Sequence, residues 1–295
     1  MKKTAFIAIV GRPNVGKSTL LNSILGEKVA IVSSKPQTTR NRITGIQTVG
    51  ENQFIFLDTP GIHKPRTRLG DFMVKTTATT LGGVDSAILV TEAREEVGDI
   101  EAQIISKFKS EGIRAILVIN KTDMVRKENI IKTIAAYAAA YDFEAVVPVC
   151  AKSGKGVDIV LYECEKFLTE SDWFFPEDIA TDQPERQVAA EIIREKLLRS
   201  LDEEIPHGTA VTIEEWKEKR GTISIRAEIF CDKASHKGII IGKGAATIKR
   251  IGTYAREDLE KMLDAKVFLD LYVRVKENWR DSDFSISNFG YKEEE

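Results

Sequence analysis

Short runs of apolar, mostly β-branched residues alternate with amphipathic stretches along the first 170 residues. Such alternation of strands and helices is typical of a mostly parallel sheet with helices on both faces. Strands are predicted over 6–10, 54–57, 87–90, 115–119 and 146–149, and helices over 16–25, 101–108 and 130–141. Residues 43–49 alternate more clearly and end in a turn at 50–52, which predicts one antiparallel edge strand.

The pattern changes after Leu168. Residues 171–184 contain an aromatic cluster, several acids and prolines, and we interpret them as a linker. The elements predicted beyond it are a helix at 187–200, strands at 210–218 and 222–230, an apolar run at 239–241, a helix at 246–263 and a strand at 267–275. A hairpin turn is predicted over 219–222. The sequence therefore predicts an α/β domain over 1–170 and an α+β domain over 185–295.

The composition fits a soluble globular chain of about two domains, with 42% hydrophobic and 30% charged residues. Lys and Arg number 43 and Asp and Glu 45, and this excludes a globally basic protein but not a local basic patch. No apolar run reaches the roughly 18 residues of a membrane span. The three cysteines form no CxxC pair, which favours a reducing cytosol over a disulfide scaffold or a zinc finger.

Residues 11–18 fit the pattern GxxxxGK[ST] and lie between the first predicted strand and the first helix. The glycines let successive backbone N–H groups face one anion, and the helix N-terminus adds its dipole. In such a loop Lys17 reaches the β- and γ-phosphates and Ser18 binds Mg²⁺. The motif alone fits an ATPase or a kinase as well as a GTPase. The predicted phosphate-binding residues are Gly11, Arg12, Pro13, Asn14, Val15, Gly16, Lys17, Ser18 and Thr19.

The base of the bound nucleotide is predicted to lie at the carboxyl end of the strand at 115–119, because ligands of open α/β sheets bind at the carboxyl ends of strands. A carboxylate at Asp123 can accept hydrogen bonds from the N1–H and the exocyclic amine of guanine. Adenine lacks both donors, and an unpaired polar group discriminates by about 10⁴–10⁵-fold. Asn120 can bind N7, and the stem of Lys121 can lie over the ring. The predicted base site comprises Asn120, Lys121, Thr122, Asp123 and the backbone of Cys150, Ala151 and Lys152.

A second polar segment follows the strand at 54–57 directly and consists of Asp58, Thr59, Pro60 and Gly61. An acid here can hold the shell of Mg²⁺ through water, and the N–H of Gly61 can face the γ-phosphate. Upstream, residues 34–40 form a polar loop between helix and strand. Thr39 is our candidate for the second protein ligand of Mg²⁺, and its neighbour Thr38 is the alternative. The predicted magnesium site is Ser18, Thr39 and Asp58.

The segments 11–18, 38–40, 58–61, 120–123 and 150–152 resemble the five motifs of Ras-like translation-factor GTPases. The resemblance implies Mg²⁺-dependent hydrolysis of GTP to GDP and phosphate, in which Lys17, Thr39 and Gly61 take part. The last motif usually reads Ser-Ala-Lys, and here Cys150 replaces the serine.

The residue that follows Gly61 departs from the Ras pattern. Ras-type enzymes place a water-orienting Gln there, whereas Ile62 can neither donate nor accept a hydrogen bond, and His63 is the alternative. We therefore expect hydrolysis that is slow or that depends on another group. Asn14 resembles the residue that helps to hold K⁺ beside the phosphates in potassium-dependent GTPases. The other interpretation of Asn14 is a turn residue that tolerates unusual backbone angles.

Residues 233–256 contain six Lys or Arg and no acid, in a chain of net charge −2. A glycine loop that opens a helix suits single-stranded nucleic acid, because its N–H groups bind phosphates and an adjoining groove accepts bases. A solvated helix face with a glycine turn is the alternative. The predicted RNA contacts are Lys237, Gly242, Lys243, Gly244, Ala245, Lys249 and Arg250.

This region resembles a KH domain of the bacterial type, whose GxxG loop clamps about four nucleotides. Ala245 replaces the second glycine and adds a methyl group near the RNA backbone. A GTPase followed by one KH domain resembles the Era family over nearly the whole chain, including 190–198 and 271–280.

The Era resemblance implies a cytosolic assembly factor of the 30S subunit that acts in 16S rRNA processing. Such a factor binds the 3′ end of that RNA and associates peripherally with the inner face of the membrane. We expect a monomer. A GTP-regulated module that binds proteins or lipid, and a P-loop ATPase or kinase, are the alternatives.

Overall fold

The structure is a computed structural model that describes residues 1–292 apart from 63, 64, 85 and 220. The chain divides into two units. The first consists of Met1–Val32, Thr39–Pro65 and Gly70–Asp182, and the second of Ser33–Thr38, Arg66–Leu69 and Gln183–Glu295. Most of the predicted linker therefore lies in the first unit, as do the residues of the predicted magnesium site.

The sheet of the first unit has the strand order β2-β3-β1-β4-β5-β6. Its strands are β1 Lys3–Val10, β2 Ile43–Val49, β3 Asn52–Asp58, β4 Ser86–Glu92, β5 Arg114–Asn120 and β6 Ala145–Pro148. All neighbours are parallel except β2, which runs antiparallel to β3 at the edge. A two-residue strand, β7 Thr169–Glu170, adds an antiparallel pairing to the start of β1. The predicted parallel sheet with an antiparallel edge strand is confirmed.

Helices cover both faces of this sheet because successive residues of a strand point to opposite sides. Ile7 and Ile9 belong to one apolar core, and Ala8 and Val10 to the other. The helices are α1 Lys17–Leu25, α2 Arg68–Gly82, α3 Asp99–Glu111, α4 Lys127–Ala140 and α5 Val157–Cys164.

The sequence pattern did not predict α2 or α5. The second half of α2 is rich in threonine, which favours helices weakly because its hydroxyl competes for backbone hydrogen bonds. Thr76, Thr77 and Thr80 each donate to the carbonyl four residues earlier, within the helix itself. Their hydroxyls are thereby satisfied, and the helix forms despite its composition.

The aromatic cluster of the predicted linker packs on the first unit. Gln53, fully buried in β3, donates from Nε2 to the carbonyl of Phe175 and accepts from the N–H groups of Phe174 and Phe175. Farther along, the N–H of Ile46 in β2 donates to the carbonyl of Ala180 over 2.7 Å. The segment thus completes the edge of the sheet.

The second unit has the element order helix, strand, strand, helix, helix, strand, which agrees with the prediction except that helix α7 was not predicted. The elements are α6 Glu185–Ser200, β8 Thr209–Lys219, β9 Thr222–Cys231, α7 Ala234–Ile241, α8 Ala246–Leu263 and β10 Lys266–Val275, followed by α9 Asp283–Asn288. Strand β9 lies in the centre, parallel to β10 and antiparallel to β8.

The apolar run at 239–241 is the end of helix α7. The pairing of Lys219 with Thr222 confirms the predicted hairpin, although Arg220 itself lies outside the described residues. Among the helices that the structure describes, none is both long and apolar enough to cross a bilayer.

Candidate nucleotide site and nucleic-acid interface

The loop at 11–18 needs its glycines for space as well as for backbone conformation. Gly11 has φ 147°, and a Cβ there would lie 2.3 Å from the carbonyl oxygen of Val90. Gly16 has φ 99°, and a Cβ there would lie 2.2 Å from Nδ2 of Asn120. Glycine permits both conformations and both close approaches. The loop is thereby held against the carboxyl ends of β4 and β5, and α1 begins directly after it.

Lys17 lies buried beneath the loop. Its Nζ donates to the carbonyls of Gly11 and Arg12 over 3.3 and 3.0 Å. Burial lowers the pKa of Lys17 to about 8, while the charge of Asp58 opposes that shift. Because the Lys17 ammonium is poorly solvated, an anion that binds in the loop above it stabilises its charged form strongly.

Ser18, Thr39 and Asp58 converge beside this lysine. The Ser18 hydroxyl donates to Oδ2 of Asp58 over 2.6 Å and lies 2.8 Å from the Thr39 hydroxyl oxygen. Thr39 lies 3.5 Å from the same carboxylate oxygen. The other oxygen, Oδ1, is buried without a hydrogen-bond partner among the described residues. Two hydroxyl oxygens and a carboxylate, one oxygen of which has no hydrogen-bond partner among the described residues, are the kind of ligands that Mg²⁺ prefers.

Burial raises the pKa of Asp58 to about 6. The charge of Lys17 and hydrogen bonds from Ser18 and Thr39 oppose this shift. The carboxylate is therefore ionised near pH 7, but a second positive charge beside it would stabilise that ionised form further.

Thr38 has a different environment from its neighbour Thr39. Its hydroxyl donates to the carbonyl of Lys35 over 2.6 Å and lies 2.9 Å from the Ser33 hydroxyl. All three residues belong to the second unit. The geometry thus brings Thr39, and not Thr38, to Ser18 and Asp58.

The segment after Asp58 is anchored to the end of β1 and to α2. The N–H and hydroxyl of Thr59 both donate to the carbonyl of Ile9, over 3.3 and 2.9 Å. The carbonyl of Pro60 accepts from the hydroxyl of Thr77 over 3.0 Å. These bonds fix where the polypeptide turns away from β3.

Gly61 and Ile62 lie against the first half of the phosphate loop. A Cβ on Gly61 would lie 2.6 Å from N and Cα of Pro13, so only glycine permits this approach. The N–H of Ile62 donates to the carbonyl of Gly11 over 3.3 Å, and its side chain packs on the second apolar core. His63, the alternative to Ile62, lies outside the described residues.

On the base side, the side chain of Asn120 links two loops. Its Nδ2 donates to the carbonyl of Val15 over 2.8 Å, and its Oδ1 accepts from the N–H of Ala151 over 3.0 Å. One Nδ2 hydrogen remains for a base. The N–H of Cys150 donates to Lys155. Three backbone N–H groups, at 150, 151 and 152, are predicted to face the base. Of these, only the N–H of Lys152 makes no hydrogen bond to another protein atom among the described residues.

Lys121 and Asp123 follow β5 in a short turn. Lys121, with φ 60°, donates from Nζ to the carbonyl of Asn14 over 2.7 Å and pairs with Glu92. Thr122 fixes the turn by donating from its hydroxyl to the carbonyl of Val149 over 3.0 Å. Asp123 is exposed at the carboxyl end of the strand.

The loop at 242–245 in the second unit places three residues in the left-handed region. Gly242, Gly244 and Ala245 have φ 75°, 59° and 63°. A Cβ on Gly242 would lie 2.3 Å from the hydroxyl oxygen of Thr247. Alanine in this conformation costs about 1–2 kcal/mol, so Ala245 occupies a position built for glycine. The predicted contacts Lys237, Lys243, Lys249 and Arg250 are all exposed around this loop.

A groove of about 460 Å³ lies between α8 and β10, next to the loop. Its apolar residues include Ile248, Leu269 and Leu271, and Lys249 and Arg256 supply positive charge. Phe268 also lines it and is 64% exposed. Neither Phe268 nor Leu271 is among the RNA contacts predicted from the sequence. Residues 248, 252 and 256 are four apart in sequence and therefore lie on one face of a helix, and this spacing could have predicted the helical side of the groove.

Both units match families of known proteins. Residues 6–121 match the family described as 50S ribosome-binding GTPase, and residues 204–280 match the KH domain family. The chain is 50% identical to GTPase Era of Clostridium novyi, over 99% of this chain and 100% of that protein. It is 47% identical to GTPase Era of Ruminiclostridium cellulolyticum, over 98% of each chain.

Two solved structures are similar over nearly the whole chain, each with a TM-score of 0.94 and 39% identity. One is a variant of Aquifex aeolicus Era bound to GDP and aluminium fluoride, with 98% of this chain and 99% of that chain covered. The other is Era in complex with MgGDPNP and nucleotides 1506–1542 of 16S ribosomal RNA, with 99% of each chain covered.

The fold and its two sites define a P-loop GTPase domain followed by a KH domain. With full-length relatives at these identities, the chain belongs to the Era family.

Proposed function

We propose that this chain is a GTP-hydrolysing switch that binds the single-stranded 3′ end of small-subunit rRNA during assembly of the 30S subunit. The observation that carries the proposal is the presence, in one chain, of a complete phosphate loop and a glycine loop beside a basic-rimmed apolar groove. The similar Era structure that holds MgGDPNP and 16S rRNA nucleotides supports both halves of it.

On the nucleotide side, Lys17 neutralises the β- and γ-phosphates, and the backbone N–H groups of the loop at 11–18 bind their oxygens. Ser18 and Thr39 would hold Mg²⁺ directly, and Asp58 would hold it through water. When bound, the cation neutralises charge on the phosphates. The N–H of Gly61 would face the γ-phosphate, and its close approach to Pro13 keeps Gly61 beside the phosphate loop.

On the base side, Asp123 accepts from the N1–H and the amine of guanine. Asn120 offers its second Nδ2 hydrogen to N7, and Lys152 offers its backbone N–H. The stem of Lys121 lies over the ring, held by the bond from its Nζ to Asn14. An adenine nucleotide would leave Asp123 unpaired, so the alternative of a P-loop ATPase or kinase is not favoured.

Protonation of Asp58 should control the binding of Mg²⁺. Its pKa of about 6 means that a proton competes with the cation below pH 6. We expect the Mg²⁺-dependent part of GTP affinity to fall by about tenfold per pH unit below 6 and to be flat above 7. Calorimetry with Mg²⁺ or EDTA from pH 5 to 8 measures it. Asp58→Asn should weaken the Mg²⁺ effect and remove the part of its pH dependence that the carboxylate contributes; a pH dependence as steep as that of the native chain in this variant would contradict the assignment.

K⁺ is proposed to assist hydrolysis, held beside the phosphates by Asn14. We expect turnover in K⁺ to exceed turnover in Na⁺ by about 10²-fold, the lower end of the effect of one stabilising group in a transition state. Asn14 has φ 64°, so Asn14→Gly removes the side chain without backbone strain and should abolish the difference. Ile62→Ala should stay within about tenfold of the native rate. Equal rates in both salts would refute the role of K⁺ and leave the GTPase intact.

On the RNA side, the loop at 242–245 binds phosphates through its N–H groups and Lys243. The apolar residues of the groove accept unstacked bases, and Lys249 and Arg256 flank them. Crosslinking in cells, followed by sequencing of the attached RNA, tests the proposal. Enrichment of the 16S rRNA 3′ end is expected, and recovery of proteins or lipid in place of RNA would overturn it.

A cytoplasmic location is also part of the proposal, and three free, buried cysteines support it. Peripheral membrane association and a monomeric state stay predictions.

A further inference from the structure

Glu101, in the first turn of α3, is a fully buried carboxylate with no part in the proposed nucleotide chemistry. Its side chain is 0% exposed, and neither carboxylate oxygen has a hydrogen-bond partner among the described residues. Removing a carboxylate from water is costly unless a cation compensates for it. The identity of that cation therefore indicates what Glu101 does.

The compensating cation belongs to the phosphate loop. Nε of Arg12 lies 3.4 Å from Oε2 of Glu101, and within the described residues no other cation is within ion-pair distance. Gly98 makes room for the contact. A Cβ there would lie 2.6 Å from Oε2 of Glu101 and 3.6 Å from the guanidinium carbon of Arg12. These three residues join the phosphate loop to the start of α3.

The part of the loop that Arg12 anchors supports two groups that bind phosphate. The carbonyls of Gly11 and Arg12 hold the ammonium of Lys17. The carbonyl of Gly11 also accepts from Ile62, and Pro13 is the surface on which Gly61 lies. Displacement of residues 11–13 would therefore move both Lys17 and the segment that faces the γ-phosphate.

We propose that Glu101 is a positioning residue for GTP, acting through its ion pair with Arg12. The pair fixes residues 11–13 and holds the Arg12 guanidinium against α3. Because Gly61 depends on Pro13 and contacts only a γ-phosphate, loss of the pair should weaken GTP more than GDP. This inference rests on the proposed GTP-binding function.

Glu101→Met is the decisive variant, because methionine has a similar length, favours helices and buries without a partner. We expect affinity for the non-hydrolysable analogue GDPNP to fall about tenfold and affinity for GDP to fall less than threefold. The thermal midpoint of Glu101→Met should fall, because Arg12 loses its partner, and the double variant Arg12→Met/Glu101→Met should recover it, since replacing a whole buried ion pair with apolar side chains is often neutral or stabilising. Glu101→Gln keeps an acceptor for Arg12 and should show a smaller loss.

The exposed Glu95, which pairs with Lys132 on the surface, supplies the matched control, and Glu95→Gln should bind both nucleotides normally. The double variant Arg12→Met/Glu101→Met should lose no more affinity for GDPNP than Arg12→Met alone, because the two residues act as one pair. If Glu101→Met does not fold, Gly98→Ala replaces it, because the added methyl displaces the carboxylate.

Equal losses for GDPNP and GDP, or no loss in either, would overturn the role of Glu101. Failure of the native chain to bind GDPNP would instead refute the proposed function itself.

Discussion

Replacement of Asp123 with asparagine is expected to convert the chain from a protein that binds GTP into one that binds xanthosine triphosphate. The carboxylate accepts two hydrogen bonds from guanine, and the amide of asparagine can accept only through its oxygen. A hydrogen bond to a charged group contributes about 1.5–3 kcal/mol, and the loss of the bond from the amine alone should lower GTP affinity by about 10–10²-fold or more. Xanthine has an acceptor in place of the amine, and the asparagine amide can donate to it.

Competition binding with GTP, ATP and XTP measures this change in preference. Asp123 is exposed, so its substitution should leave the free energy of unfolding nearly unchanged. Asp142→Asn, at another exposed acid of the first unit, is the control and should retain native preference. Unchanged GTP affinity in Asp123→Asn would place the base elsewhere, and a gain in ATP affinity would favour the ATPase alternative.

Local pattern was enough to predict most elements of both units. Strand β1, the loop at 11–18 and α1 are consecutive in the sequence, and their chemistry depends on glycine positions that the sequence shows directly. Helix α8 begins and ends at the predicted residues, 246 and 263, because its apolar positions repeat with helical spacing.

Contacts between distant segments were harder to predict. The sequence gives no sign that the amide of Asn120 links Val15 to Ala151, because that contact depends on the order of strands in the sheet. The N–H groups of Cys150 and Ala151 donate to the carbonyl of Lys155 and to Oδ1 of Asn120, two partners that the sequence pattern does not show. Their contact with the base stays a prediction. The groove beside the loop at 242–245 also needs α8 and β10 side by side, which sequence spacing alone does not establish.

Ala245→Asp is expected to abolish RNA binding by the second unit. The substitution places a carboxylate where the loop must approach a phosphate, and like charges in contact cost several kcal/mol. Affinity for a 16S rRNA 3′-terminal oligonucleotide should fall by about 10²-fold or more. Lys243→Ala should have a smaller effect and reduce the slope of log affinity against log salt by about 0.7.

The backbone of Ala245 supplies two matched controls for the charge. Aspartate and asparagine both tolerate the left-handed conformation at φ 63° better than alanine, so neither strains the loop. Ala245→Asn has nearly the same shape as Ala245→Asp without its charge, and should retain most of the affinity. Ala245→Gly removes the methyl group and about 1–2 kcal/mol of strain, and should bind RNA at least as well as the native chain. Fluorescence anisotropy measures all three. Native affinity in Ala245→Asp would show that this loop does not clamp RNA, and an equal loss in Ala245→Asn would show that bulk, not charge, excludes the phosphate.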